Sequence, residues 1–381
     1  EGIAPSEKNI PRNESSSDQR GWRSMEYYDY TQPFASRRSP VMGMRGAVAT
    51  SHPLAAQAGM RMLLVGGNAV DAAIATAAAL VVLEPTSCGL GGDAFAIVWD
   101  NGQMHGLNAS GRAPEGLSAE AFRRAGMTKM PTEGWASVTT PGVVSAWSAL
   151  SRRFGCLPFR EVIAPAIEYA REGAPVPPVI ASYWSAAQKR FGGRRGVFKE
   201  FERAFLLGGR APLPGEVYSN PDLAATLQSI ADSRGESFYR GNLARAIAAH
   251  SEATGGFLTL RDLAGHLPEW VRPVKARYRG FDVWEIPPNG QGIVALMALN
   301  IMEGFDLSAA PRLAPESLHV IIEALRLAFA DAHAYVGDPQ AVTVPVDELL
   351  SPEYTATRRA QISLSGAMAT VAPGRLNGQK T

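Results

Sequence analysis

The segment from residue 69 to residue 83, AVDAAIATAAALVVL, constrains the fold more than any other stretch. Alanine and aliphatic residues occupy nearly every position, so a helix here has no polar face. Asn68 precedes the segment and Asp71 follows three positions later, which is typical of a capping box at a helix start. The longest apolar run, Ala72–Leu83, is too short to cross a bilayer. We therefore predict a helix that the rest of the fold buries on every side.

The charge balance excludes two classes of partner. The chain has 381 residues, of which 37 are basic and 36 are acidic, so its net charge is +1. No basic surface for nucleic acid or for an anionic membrane is expected from this balance.

The two cysteines, Cys88 and Cys156, form neither a disulfide framework nor a metal motif. We expect a cytoplasmic protein, or a periplasmic or secreted one if a leader was removed before Glu1.

Composition divides the chain into three parts. Residues 1–40 are rich in Ser, Arg, Asn and Pro with interspersed aromatic residues, and we expect an extended N-terminal arm. Residues 41–365 are expected to form the body as one domain, with a helical lobe at about 140–265. Residues 366–381 show no periodicity and are expected to be a flexible C-terminal tail.

Glycine, proline and capping residues predict strands at both ends of a helical middle. A short strand is expected at Gly46–Thr50, followed by a helix that begins at Pro53 with Ser51 or His52 as its cap. Asn101-Gly102 between two apolar runs predicts a β-hairpin with a type I′ turn. Further helices are predicted at Ser118–Ala125, Pro141–Phe154, Pro158–Glu172, Pro178–Arg190, Pro221–Ser233, Leu243–Ala253, Gln291–Glu303 and Pro315–Tyr335.

A second strand pair is predicted to turn near Arg279-Gly280, and residues 191–218 are predicted to form a long loop. Strands and helices do not alternate regularly, so a doubly wound parallel sheet is not expected.

The stretch CGLGGDAF matches the spacing of a dinucleotide-binding turn through Gly89, Gly91 and Ala94. Such a turn needs a strand before the glycines and a helix after them, and here the order is reversed. Cys88 beside the glycines is a candidate nucleophile, but free cysteines are more often small buried residues. The favoured interpretation is that the glycines allow unusual backbone angles before a packed strand.

Other reactive side chains do not form a complete catalytic motif. His319 and Glu323 are four residues apart on a predicted helix, but HExxH is absent and helix ion pairs are the better interpretation. The favoured role of His52 is in the helix cap, and a place in the lining of a cleft is the alternative. No G-x-S-x-G elbow and no Walker loop occurs, and we expect neither a metal nor a cofactor.

Longer motifs make the chain similar to a known family. GGNAVDAAIATAAALVVLEPTSCGLGGDAFAIVW, GLNASGRAP, TTPGVVSAW, YRGFDVWEIPPNGQG and YVGDP occur in order between about residue 41 and residue 340. Through these motifs the chain resembles the γ-glutamyltransferase family, and within it the acylase-like and uncharacterised branch. The resemblance implies an α+β chain with the four-layer αββα N-terminal nucleophile hydrolase fold.

The resemblance also implies a mechanism. Family members are made as one precursor that cuts itself before a threonine, and this threonine becomes the nucleophile at the start of the small subunit. The present chain would then be the large subunit, with a small subunit from the same precursor as partner and a dimer of such heterodimers as a further possibility. Thr381 is kept as an alternative position for the nucleophile. The expected substrate is a small-molecule amide, cleaved through an acyl-enzyme.

One motif departs from the family pattern. True γ-glutamyltransferases carry an arginine in an FREMAP-like element that grips the substrate α-carboxylate, whereas alignment places Ser110 there, with Arg112 two residues later. A guanidinium–carboxylate pair is geometrically demanding, so the displacement disfavours glutamyl donors. On a strand Ser110 and Arg112 would share a face, and Arg112 would reach a substrate anion. The competing interpretation pairs Arg112 with Glu115 or with a neighbouring subunit.

Three functions follow in order of preference. The first is an amide hydrolase or acyltransferase acting on a substrate such as a β-lactam side chain or a small amidated acid. The second is a true γ-glutamyltransferase or glutathione hydrolase. The third, from another class, is a catalytically silent or nucleotide-binding protein.

Overall fold

The computed structural model describes residues 41–376 except 125, 195–197, 310 and 312, and it combines helices with short strands. The helices are α1 Pro53–Leu64, α2 Ala69–Leu83, α3 Ala119–Arg124, α4 Val143–Phe154, α5 Phe159–Glu172, α6 Pro178–Phe191, α7 Phe201–Phe205, α8 Pro221–Ser233, α9 Glu236–Tyr239, α10 Asn242–Ala253, α11 Leu260–Gly265, α12 Gly292–Met302, α13 Pro315–Tyr335, α14 Val346–Leu349 and α15 Pro352–Arg359. The strands are β1 Ala94–Asp100, β2 Gln103–Ala109, β3 Ala174–Pro175, β4 Val217–Tyr218, β5 Glu269–Val271, β6 Val274–Tyr278 and β7 Phe281–Glu285. The N-terminal arm expected at residues 1–40 lies outside the described residues.

The first two helices begin at the predicted caps. The His52 ring accepts a hydrogen bond from the backbone N–H of Leu54 through Nδ1, at 3.1 Å. At the start of α2, the Asn68 side chain accepts from the Asp71 N–H at 3.0 Å, and the Asp71 carboxylate accepts from the Asn68 N–H at 3.0 Å. This reciprocal pair satisfies two backbone donors that a helix start leaves without partners. Both predicted helix starts are confirmed.

Helix α2 is buried as its composition predicts. Ten of its fifteen residues are buried, and α1, α4 and α5 pack against it. Small residues allow the close approach of α1: a Cβ added to Gly59 would lie only 2.3 Å from Thr76 Oγ1. Burial of an alanine-rich helix therefore depends on the absence of side chains as much as on their hydrophobicity.

The predicted turn residues connect two antiparallel strand pairs. Strands β1 and β2 pair around Asn101 and Gly102, whose φ values of 45° and 81° are those of a type I′ turn. Strand β5 adds to the other edge of β2. Strands β6 and β7 pair around Arg279 and Gly280, with φ values of 51° and 85°. Both hairpins confirm the prediction because the local sequence alone requires positive φ at these turns.

Two main hydrophobic cores lie in the body. The first joins α2, α4, α5 and α8 to strand β2, with Trp147 and Leu227 fully buried. The second joins α12, α13 and α15, with Ile293 and Leu327 fully buried. Strand β2 contributes Leu107 and Ala109 to the first core, and Asn108 near its end hydrogen-bonds Asn289 in the loop before α12.

Some predicted elements differ from the structure. The strand expected at Gly46–Thr50 is absent, since the described residues provide no neighbouring strand to pair with it. The expected loop at residues 191–218 contains α7 and ends in β4, which pairs with β3. Within the expected flexible tail, Leu376 is buried in the second core. Residues 377–381, including Thr381, lie outside the described part of the chain.

Candidate functional site

A cleft of about 1240 Å³ opens where strand β2 ends. Its walls come from residues 108–115, from Thr140, from residues 261–272 around the end of α11 and the start of β5, and from residues 287–289 and 338–340. Ser110 and Arg112, the two residues selected from the sequence, both line it. The chain leaves the strand after Ala109, so the two side chains share the cleft without sharing a strand face.

Two glycines bring the backbones below the cleft into contact. A Cβ added to Gly111 would lie 1.5 Å from the carbonyl oxygen of Thr140, and one added to Gly142 would lie 1.7 Å from that of Ala109. The Thr140 N–H donates to the Arg112 carbonyl at 2.9 Å and holds the two segments together. The residues on either side of Gly111 are thereby fixed in position. The motifs GLNASGRAP and TTPGVVSAW each contribute one of these glycines.

Ser110 belongs to a closed network of neutral side chains. Its hydroxyl donates to Asn108 Oδ1 at 2.7 Å and accepts from Asn289 Nδ2 at 2.9 Å. Asn108 Nδ2 in turn donates to Asn289 Oδ1 at 2.8 Å. The network ties the end of β2 to the loop that precedes α12. It orients a rigid polar surface toward the cleft but carries no charge with which to bind a carboxylate.

Arg112 supplies the positive charge that Ser110 lacks. Its guanidinium lies 3.5 Å from Glu269 Oε1, and both side chains are more than half exposed. The sequence predicted a pair with Glu115 or a neighbouring subunit, but Glu115 pairs with Arg261 at 3.2 Å. The contact with Glu269 is long and solvated, so it contributes little to stability and leaves guanidinium donors available. Residue Arg272, which the sequence analysis did not select, also lines the cleft.

A buried histidine, His266, contributes to the wall of the cleft. Ser145 Oγ donates to the Gly142 carbonyl at 2.6 Å, and His266 Nε2 lies 2.9 Å from Ser145 Oγ. Which atom donates in the contact between Ser145 and His266 depends on the tautomer of the imidazole ring, because the serine hydroxyl has one proton for two acceptors. Burial lowers the pKa of His266, and the positive charges of Arg112 and Arg240 lower it further. His266 is therefore neutral near pH 7.

Tyr239 also helps to hold the loop that contains Gly142. Its ring stacks on His266 with centroids 5.3 Å apart, and its hydroxyl donates to the Pro141 carbonyl at 2.9 Å. Burial raises its pKa to about 12, which keeps the hydroxyl protonated as this hydrogen bond requires. The contact of the Ser145 hydroxyl with the Gly142 carbonyl ties the start of α4 to the loop at the glycine contact. Sequence inspection missed this set because its members lie about 100 positions apart.

The remaining sequence candidates lie outside the cleft. Cys88 is half-buried, and burial together with the negative charge of Glu84 raises the pKa of its thiol, the opposite of what a nucleophile needs. The glycine loop beside it leads from α2 into β1, so no helix N-terminus faces a phosphate there. His319 contacts the Ser363 carbonyl, while Glu323 pairs with Arg326.

Within the ranges that the structure describes, no group of three or more His, Cys, Asp or Glu side chains is arranged to hold a metal ion. Among the same residues, no helix combines the length and apolarity needed to cross a membrane.

Comparison with known proteins decides the family. The family model described as Gamma-glutamyltranspeptidase matches residues 55–380. This chain belongs to the γ-glutamyltranspeptidase family. The resemblance identified from the sequence motifs is thus confirmed.

Relatives within the γ-glutamyltranspeptidase family are named for different activities. The glutathione hydrolase-like YwrD proenzyme of Bacillus subtilis (strain 168) is 35% identical over 353 residues, which cover 90% of this chain and 64% of that protein. The cephalosporin acylase from Bacillus halodurans is 49% identical with a TM-score of 0.85, covering 92% of this chain and 65% of that one. The Helicobacter pylori γ-glutamyltranspeptidase is 30% identical with a TM-score of 0.84, covering 90% of this chain and 100% of that one. The chain therefore spans less than two thirds of the first two proteins.

Proposed function

We propose that this chain is the large subunit of a self-processing amide hydrolase or acyltransferase that acts through a threonine acyl-enzyme. The observation that carries the proposal is the cleft at the end of β2, where the family motif GLNASGRAP places Ser110 and Arg112 together. The relative from Bacillus subtilis is a proenzyme of greater length, which supports a precursor that continues beyond this chain. A small subunit from that precursor would supply the nucleophile and complete the αββα layers.

The proposed chemistry is acyl transfer in two steps. The threonine hydroxyl oxygen adds to the amide carbonyl carbon, and the threonine α-amine takes the hydroxyl proton and passes it to the leaving nitrogen. The C–N bond breaks and leaves an ester on the threonine. Water or an acceptor amine then attacks the ester and restores the hydroxyl. In this scheme the present chain binds and orients the acyl group.

Arg112 is the proposed contact for an anionic group on the substrate. Ser110 has its hydroxyl donor and one acceptor position occupied by Asn108 and Asn289, so it serves as a neutral surface. Arg112 keeps an exposed guanidinium, weakly held by Glu269, at the same cleft. We therefore propose as substrate a small amide whose acyl group carries a carboxylate, and the cephalosporin acylase among the solved relatives supports an acyl group other than glutamyl.

Processing of the full-length protein tests the class. The expected result is two fragments on a denaturing gel, and replacement of the junction threonine by alanine should leave one inactive chain. A wild-type precursor that stays uncut and inactive would refute the proposal and favour a catalytically silent protein. Saturable binding of NAD to that uncut chain would favour a nucleotide-binding one.

A substrate series tests the role of Arg112. Glutaryl-p-nitroanilide and pentanoyl-p-nitroanilide have acyl chains of equal length and differ in the terminal carboxylate. We expect Arg112→Gln to remove most of the preference for the glutaryl substrate, on the order of tenfold to a hundredfold in kcat/KM, with little effect on the pentanoyl substrate. Arg261→Gln is the matched control, since it removes a positive charge from the same cleft outside the GLNASGRAP motif. An unchanged preference in Arg112→Gln would exclude the contact.

The alternative function, a true γ-glutamyltransferase, is tested with γ-glutamyl-p-nitroanilide. Faster turnover of this substrate than of the glutaryl one, with loss of that turnover in Arg112→Ala, would favour it. The difference between the two substrates is the α-amino group, for which this chain offers the carboxylates of Glu269 and Asp338 at the cleft.

A further inference from the structure

The backbone of residues 368–374 is held by side chains from helices α13 and α15. Glu323 Oε2 accepts from the Met368 N–H at 3.1 Å, and Arg326 donates to the Met368 carbonyl at 2.8 Å. The N–H of Gly374, six residues after Met368, donates to Asp331 Oδ1 at 2.8 Å. Arg358 donates to the Ala372 carbonyl at 2.9 Å, and the Tyr335 hydroxyl donates to the Gly374 carbonyl. We call Glu323, Arg326, Asp331 and Arg358 the anchor.

Most of the anchor is buried to a degree that is unusual for charged groups. Glu323, Asp331 and Arg358 are 2%, 1% and 2% exposed. Arg358 Nε lies 3.0 Å from Asp331 Oδ2, so the two charges compensate each other inside the second core. A buried pair of this kind contributes little net stability, because desolvation offsets the attraction. Hydrophobic residues would hold α13 against α15 as well, but they would not bind the peptide groups of a passing chain segment.

The anchor also restricts which residue can occupy the position of Gly374. A Cβ added to Gly374 would lie 2.4 Å from the Tyr354 hydroxyl and 2.9 Å from Arg358 Cδ. A side chain at this position would force the buried Tyr354 or Arg358 side chain to move. Hydrogen bonds to Met368, Ala372 and Gly374, together with this steric condition, define the register of the segment to a single residue. Leu376, which follows directly, is buried in the same core.

We propose that the anchor positions the processing junction for self-cleavage by fixing the register of the chain that leads to it. The proposal rests on the proposed function and places the scissile bond after Leu376. In the cleavage, the hydroxyl oxygen of the junction threonine attacks the carbonyl carbon of the preceding residue and the C–N bond breaks. The nitrogen, protonated, becomes the threonine amine, and water then hydrolyses the resulting ester to a carboxylate and the free hydroxyl.

Attack of this kind requires the oxygen to be held close to the carbonyl carbon, and an error of about 1 Å costs on the order of a hundredfold in rate. Each residue beyond Leu376 adds at most about 3.6 Å of reach, so a shift of one residue in the anchored register misplaces the junction by several times that error. The residues of the anchor bind the backbone of residues 368–374 and do not contact the reacting atoms, so they are positioning residues.

The experiment follows self-cleavage of the full-length protein during cell-free synthesis, with fragment masses to locate the cut. We expect Asp331→Asn and Arg358→Gln to slow cleavage at least tenfold or to spread the cut over neighbouring bonds. Asp71→Asn is the matched control: Asp71 is 0% exposed and also accepts backbone hydrogen bonds, but from Asn68 and Cys156 rather than from residues 368–374. Thermal unfolding of each variant, combined with a junction Thr→Ala change, measures stability apart from cleavage.

Insertions separate register from stability. One glycine inserted beside Gly366, an exposed position before the anchored segment, should leave the cleavage rate within twofold. The exposed chain before Met368 accommodates the extra residue, and residues 368–374 keep their register on the anchor. One glycine inserted after Leu376 should slow cleavage at least tenfold. Equal effects of the two insertions, or wild-type cleavage in folded anchor variants, would overturn the inference. If Asp331→Asn does not fold, Arg326→Gln provides the same test, since Arg326 is partly exposed.

The two proposals fail in different ways. If the wild-type protein never cuts itself, the proposed function is wrong. If it cuts itself and the anchor variants do so at the same rate and position, the inference alone is wrong.

Discussion

The contact between the two backbones below the cleft makes a strong prediction about two glycines. Gly111→Ala would place a Cβ 1.5 Å from the Thr140 carbonyl oxygen, and Gly142→Ala would place one 1.7 Å from the Ala109 carbonyl oxygen. Real Cβ atoms do not approach other atoms closer than 3.0 Å, so the backbones would have to separate by about 1.5 Å. Because the obstructing atoms are backbone atoms, a side-chain rotation does not relieve the clash.

The magnitude follows from what this separation breaks. The hydrogen bond from the Thr140 N–H to the Arg112 carbonyl, 2.9 Å long, would be lost, at a cost of about 1 kcal/mol. Overpacking of the surrounding core adds about 1–3 kcal/mol. Each variant should therefore lose about 2–4 kcal/mol of unfolding free energy, a large part of the roughly 5–15 kcal/mol typical of a folded protein.

The assay is urea unfolding of the full-length protein, monitored by tryptophan fluorescence and circular dichroism. Two neighbouring glycines are controls: a Cβ at Gly116 would meet its nearest atom at 3.9 Å, and one at Gly265 would meet none within 4 Å. Gly116→Ala and Gly265→Ala should stay within about 0.5 kcal/mol of the wild type. If Gly111→Ala or Gly142→Ala behaves like these controls, the reasoning from the backbone contact is wrong.

Three further predictions concern stability. Leu227→Ala should cost about 2–5 kcal/mol, since Leu227 is 0% exposed, whereas Leu213→Ala at a 56% exposed position should change the urea midpoint little. Asp71→Ala should cost about 2–4 kcal/mol by leaving the backbone N–H groups of Asn68 and Cys156 without acceptors, and Asp71→Asn should lose less because its amide oxygen still accepts. Because burial holds the pKa of His266 below its ordinary value of 6.5, the unfolded chain binds its proton more readily, so stability present above pH 6.5 is lost as the pH falls below it. His266→Gln should flatten this decline in a series of unfolding curves from pH 7.5 to 5.5, and an unchanged slope would contradict the assignment.

Local sequence rules located most of the secondary structure. The caps His52 and Asn68 and the turns at Asn101-Gly102 and Arg279-Gly280 lie where they were predicted, because each acts on a backbone group within three residues of itself. The predicted helix at Pro221–Ser233 has the same bounds in the structure. The strand predicted at Gly46–Thr50 failed because a strand requires a partner, and a segment's own sequence does not state whether one is present.

The candidate site could be identified only in part. Family motifs singled out Ser110 and Arg112, but their partners Asn289 and Glu269 lie 179 and 157 positions further along the chain. The competing interpretation of the sequence paired Arg112 with Glu115 or with a neighbouring subunit, whereas the structure pairs Glu115 with Arg261. No local pattern distinguishes these alternatives.

The amino-acid sequence alone determined where this protein turns and caps its helices, that α2 has to be buried, and that its motifs belong to one family. Those properties depend on the conformational limits of glycine, asparagine and proline and on the polarity of single segments. Tertiary structure decided which glycines are required for the backbone contact, which charges line the cleft, and that Asp331 and Arg358 bind the backbone of the segment approaching Leu376. These features depend on distances between groups that are far apart in the chain, and only the packed fold sets such distances.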